Sequence, residues 1–189
     1  MKLAELDAET LARAQRGERE AFRALYERYA DVVYAFVRRM LGDDATAEDA
    51  LQDTFMRVAR SLSSFEPSGP AALSTWILSL ARRAALTPRR PPTATTTARE
   101  AEVAPAPVEL GSVRRRLEEA LGALSPEQRE VFLLREMSQL AYDQIADAVG
   151  VDIGTVRSRL HRARAALQSK LADLLDQHSE DIDGRKAGR

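Results

Sequence analysis

A stretch without periodicity divides this chain and limits what it can fold into. From Pro88 to Gly111 the sequence reads PRRPPTATTTAREAEVAPAPVELG, with no apolar residue repeating at a helix or strand interval. Such a segment has no face to bury, so it describes an extended, mobile linker. The 189 residues therefore fall into two units, each large enough for a modest core. Aromatic residues make up only 5% of the chain, and alanine, leucine, arginine and glutamate dominate, which favours helix. The expected fold is all-α. Two small helical domains, 1–87 and 112–175, are joined by a flexible linker at 88–111, and a polar tail follows at 176–189.

The first unit reads as three helices. From Glu20 the apolar residues Phe22, Leu25, Tyr29, Val32, Val33, Phe36 and Met40 keep helical spacing up to Gly42. Thr46, with Asp49 three residues on, is expected to open a second helix as a weak capping box. Its stripe is Leu51, Phe55, Val58, Ala59 and Leu62. A loop with turn chemistry, SSFEPSGPAAL, leads to a third segment, STWILSLARRAAL, which ends at Pro88.

The second unit is more explicit. Ser125-Pro126-Glu127-Gln128 supplies a serine cap, proline at the first helical position and glutamine at the third. A short helix from Tyr142 to Val149 is stopped by Gly150, and Asp152 can cap the next, from Ile153 to about Leu174. Two helices joined by Gly-Val-Asp have helix-turn-helix spacing. On the second of them Val156, Leu160, Ala163 and Leu167 form one stripe. Gly154, Thr155, Ser158, His161, Arg162 and Ala165 face away from it, and Arg157, Arg159 and Arg164 flank it.

Charge is segregated along the chain, although the net charge is only -1. Leu41 to Asp53 holds Asp43, Asp44, Glu48, Asp49 and Asp53 without a base, and Ile153 to Lys170 holds Arg157, Arg159, Arg162, Arg164 and Lys170 without an acid. Local fields, not net charge, then choose partners. A solvated helix face usually mixes the two signs, so an acid-free helix with small residues at its start suits the DNA major groove. Ser158, His161 and Arg162 can reach base edges there while the flanking arginines meet phosphates.

These motifs resemble those of extracytoplasmic-function (ECF) sigma factors of the sigma-70 family. YDQIADAVGVDIGTVRSRLHRARAAL is similar to their region 4 helix-turn-helix, AEDALQDTF to region 2.2, and STWILSLARRAAL to regions 2.3 and 2.4. The resemblance implies a protein that directs promoter recognition, DNA melting and transcription initiation for a stress or envelope regulon. It assigns upstream-element contacts to Thr155, Arg157, Ser158, Arg159, His161 and Arg162. Downstream-element binding and melting fall to Phe65, Trp76, Arg82 and Arg83, although Trp76 also fits a core position and Phe65 a lid on the core. Asp49, Gln52 and Asp53 would dock on the beta-prime clamp coiled coil of core RNA polymerase, and the second unit on the beta flap. An anti-sigma factor is a further implied partner, and Glu100 and Glu102 could mimic nucleic-acid charge or belong to a plain spacer.

The chain also departs from the family. Thr87-Pro88 and Pro91-Pro92 stand where a basic helix usually continues, Gln139 where a turn glycine is common, and Ala141 where a serine cap is common.

Other classes fare worse. No cysteine is present, which excludes disulfides and thiolate metal sites. The acidic cluster could in principle hold magnesium, but His161 and His178 are the only histidines and neither sits in a plausible catalytic pocket. No catalytic residue, metal or cofactor is expected. A two-domain regulator that binds DNA without polymerase shares the helix-turn-helix but leaves AEDALQDTF unexplained. With no signal-like N-terminus and no apolar run of about 18 residues, the expected location is the cytoplasm, without membrane insertion.

Overall fold

The computed structural model describes the backbone of residues 5–87 and 108–186, and the side chains of 5–87, 115–137 and 139–172. Within them the chain is all-helical: α1 (Ala8–Gln15), α2 (Arg19–Leu41), α3 (Asp44–Ser61), α4 (Leu73–Leu86), α5 (Val108–Gly122), α6 (Pro126–Ser138), α7 (Tyr142–Val149) and α8 (Ile153–Lys186). Glu100 and Glu102 lie outside the described residues. No helix among the described residues is long and apolar enough to cross a membrane.

In the first half, α2, α3 and α4 pack on one another around Leu25, Tyr29, Phe36, Val58 and Ile77, all 1% exposed or less. Burying side chains of this size contributes about 1.5–3 kcal/mol each. α3 begins two residues before the expected Thr46. Asp43, in extended backbone, accepts a hydrogen bond from the Thr46 amide at 2.9 Å and another from the Thr46 hydroxyl, so it is the aspartate that caps. α1 was not expected. It is only eight residues long and buries just Leu11 and Ala14, too little for a readable stripe.

In the second half, α6, α7 and α8 enclose Val131, Leu134, Ile145, Val156, Leu160 and Ala163. The expected capping box on α6 is present, with the Gln128 amide bonded to the Ser125 hydroxyl and the Ser125 amide to the Gln128 side chain. α5 starts at Val108, inside the stretch read as linker, and α8 continues to Lys186 through the segment read as tail. Once a helix is nucleated, adding a residue to its end costs little.

The halves touch. α6 lies against α2 and α4, and the Arg82 Nε donates to Glu130 Oε1 at 2.6 Å across that contact. Arg129 reaches the Arg39 and Met40 carbonyls at 3.5 and 3.4 Å, and Gln144 donates to the Pro70 carbonyl at 3.3 Å.

Candidate nucleic-acid interface

The α7–α8 corner is built by its turn residues. Gly150 closes α7 with φ 77, a left-handed conformation that costs glycine least. Asp152 then accepts the Thr155 amide at 2.9 Å and the Thr155 hydroxyl at 2.5 Å. These bonds, the hydroxyl's first, hold its carboxyl below the usual aspartate pKa. Gly154 makes room for the cap, because a Cβ there would stand 2.9 Å from Asp152 Oδ1. At the start of α7, Ala141 offers no acceptor and Gln144 bonds back to the Ala141 amide at 3.0 Å. Gln139 ends α6 in the left-handed region with φ 52, at the position noted for its missing glycine.

This corner presents one cationic face. Val156, Leu160, Ala163 and Leu167 are buried, while Arg157, His161 and Arg162 are exposed and Thr155, Ser158 and Arg159 half-buried. Ser158 donates to the Thr155 carbonyl at 3.0 Å, and Arg162 leans over Ser158 at 3.3 Å. Arg164 is drawn away by Glu136 at 3.2 Å. Arg135 braces the corner from beneath, donating to the Leu140 carbonyl at 2.6 Å with its guanidinium 5.3 Å from the Tyr142 ring centre. The face is therefore held on a stiff support and can offer donors to phosphates and base edges.

The acids of the first half do not converge. Asp43 caps α3, Asp44 takes Arg38 and Tyr34, and Asp53 pairs with Arg57 at 2.9 Å. Among the described residues no group of acids or histidines is placed to hold a metal ion. Asp49, Gln52 and Met56 are exposed along α3, Met56 at 45%. Beside them runs an open groove of about 430 Å³, lined by Phe22, Tyr26, Leu51, Phe55 and Met56 with Glu48 and Gln52 at its rim. The sequence reading named the polar residues of this face and missed Met56 and the groove. Phe22 and Phe55 fall in the two helical stripes that the sequence assigns to the core, and Tyr26 falls in neither.

The remaining site residues divide. Phe65 is 9% exposed and belongs to the core, with its ring 5.1 Å from that of the half-buried Trp76. Arg83 is exposed. The Arg82 side chain is only 14% exposed and is held by Glu130, itself 8% exposed. No sequence feature linked those two residues.

Comparison with known proteins gives these faces a context. Residues 25–90 match the Sigma-70 region 2 family and residues 114–167 the Sigma-70, region 4 family. The chain is 34% identical over 179 residues to the ECF RNA polymerase sigma factor SigK of Mycolicibacterium vanbaalenii, covering 89% of this chain and 90% of that one. It is 31% identical over 188 residues to the RNA polymerase sigma-H factor of Pseudomonas aeruginosa, covering 90% and 96%. The fold is similar to CnrH in its complex with the cytosolic domain of CnrY, with a TM-score of 0.61 at 22% identity over 87% of this chain and 96% of that one. It is also similar to the sigma factor RpoE bound to the anti-sigma factor NepR from Bartonella quintana, with a TM-score of 0.57 at 23% identity over 80% and 96%.

Proposed function

The chain belongs to the ECF sigma factors of the sigma-70 family, and we propose from its geometry which residues carry each part of that work. A sigma factor is not an enzyme. It binds core RNA polymerase and directs it to promoter DNA, where transcription starts. The observation that carries the assignment is the cationic face of α8, set on a capped helix-turn-helix, with no acid in residues 153–170.

In this reading residues 1–87 are the region 2-like unit and 112–175 the region 4-like unit. Arg162, His161 and Ser158 read base edges of the upstream element, and Thr155, Arg157 and Arg159 meet its backbone. Arg82, Arg83 and the loop before Trp76 engage the melted downstream element. Phe65 and Trp76 contribute mainly by shaping that loop from below, since Phe65 is buried. Arg82 must leave Glu130 before it can meet DNA.

Asp49, Gln52 and Asp53 dock on the beta-prime clamp coiled coil, with Met56 and its groove adding apolar contact, and the region 4-like unit meets the beta flap. Such a mixed face is typical of interfaces, where an apolar centre supplies affinity and charges supply orientation. The sigma factor RpoE, of similar fold, is bound by the anti-sigma factor NepR, and we extend a partner of that kind to this chain. Its regulon is one for stress or envelope functions, and its place is the cytoplasm, with core polymerase.

The test is a core-polymerase competition assay. Asp49→Ala combined with Met56→Asp should weaken binding at least tenfold, or about 1.4 kcal/mol. Both residues are exposed, so helicity and melting temperature should stay near wild type. Unchanged affinity would remove this face from the interface.

A further inference from the structure

The loop between α3 and α4 is held from outside itself. Residues Glu66 to Ala72 are exposed apart from the half-buried Gly69 and Ala71, and inside the loop the Gly69 amide bonds to the Glu66 carbonyl at 3.0 Å. Its two ends are fixed by side chains from the N-terminal segment. At the entry, Gln15 Nε2 donates to the Leu62 carbonyl at 3.1 Å and the Phe65 carbonyl at 2.7 Å. At the exit, Ala72 stands at the N-cap of α4 and offers no side-chain cap. Glu5 supplies one from 69 positions away: its Oε2 accepts the Ser74 amide at 3.2 Å and its Oε1 the Ser74 hydroxyl at 2.5 Å. A carboxylate at a helix N-terminus satisfies open amides and favours the helix dipole.

Glu5 is itself held in place. The Tyr29 hydroxyl accepts from the Leu6 amide at 3.0 Å and donates to Glu5 at 3.1 Å. Burial pushes the Tyr29 pKa up to about 12, so the hydroxyl keeps its proton at neutral pH. The N-terminal segment thus grips the loop at both ends. The prolines at 67 and 70 stiffen the span between.

We infer that Glu5 and Gln15 are positioning residues for promoter opening: they hold the loop before Trp76 in the shape that receives the unpaired downstream strand. This rests on the reading above that the loop engages melted DNA. Neither residue touches DNA. Each acts by reducing the number of conformations the loop must give up when a base arrives.

The experiment uses holoenzyme assembled from core polymerase and the full chain, on a promoter that the wild-type holoenzyme transcribes. 2-Aminopurine in the non-template strand of the downstream element reports opening. Glu5→Gln and Gln15→Glu are isosteric: the first removes the charge from the cap, and the second replaces the two donated bonds with acceptors. Each should slow opening roughly tenfold, while core affinity and binding to duplex carrying the upstream element stay within about twofold. Opening at the wild-type rate in both variants would overturn the inference. So would an equal loss in all three measurements, since that is what a purely structural role predicts. A wild-type holoenzyme that transcribes without 2-aminopurine unstacking would instead defeat the melting role of the loop, and this inference with it.

Discussion

Arg162 shows how much one residue's setting matters. It sits one helical turn beyond Ser158 on the exposed face of α8 and is held loosely, by a single 3.3 Å bond to the Ser158 hydroxyl. Arg164, two positions on, is held by Glu136 and has less freedom to meet DNA. Arg162→Ala should cost about 1–3 kcal/mol at a cognate promoter and relax sequence choice at one base position, measured as binding across a set of single-base variants. A uniform loss over all variants would make it a phosphate contact. The exposure of Arg162 was legible in the sequence, because the buried stripe of Val156, Leu160, Ala163 and Leu167 fixes which side of the helix faces outward. The environment of Arg82 was not, because the acid that holds it lies 48 positions away in the other half.

At the scale of the element, α8 depends on its cap. The Asp152 carboxyl titrates below its usual value in the folded chain. Its contribution is therefore complete above the unfolded pKa of about 3.9, and is lost as pH falls through the lower folded value. Asp152→Ala should lower the melting temperature of the chain at pH 7, with the wild-type and variant values converging as pH drops well below the carboxylate range. A gap that persists in acid would mean the cap acts by something other than its charge. α8 was legible through its stripe and α6 through its capping box. The start of α3 was not, since Asp43 and Thr46 are both good capping residues and only the backbone conformation of Asp43 decides between them. α1 escaped notice because its packing on α2 needs only two buried side chains.

The whole molecule brings its two halves together at the Arg82–Glu130 pair. Glu130 is the only charged residue buried among the described side chains. A buried pair gains little net stability, because desolvation offsets attraction, but losing one partner is costly. Glu130→Gln should therefore loosen the halves, raising the radius of gyration in small-angle scattering while helicity by circular dichroism is kept. An unchanged radius would assign the contact to Arg129 and the apolar surface around it. The division into two units was legible from the aperiodic stretch at Pro88–Gly111, but their contact was not, because no periodicity links α4 to α6. On the proposed assignment the charge segregation matches two partners: the cations of α8 suit DNA, and the acidic face of α3 suits a basic polymerase surface. One chain connects partners of opposite charge.

Run-off transcription by core RNA polymerase on a pool of genomic promoters, with and without this protein, tests that account most directly. New, discrete start sites should appear only with the protein, fall downstream of a shared pair of promoter elements, and disappear with the Asp49→Ala, Met56→Asp variant. A core polymerase that stays silent while the protein alone binds particular DNA fragments would contradict it, leaving a DNA-binding chain without a polymerase partner.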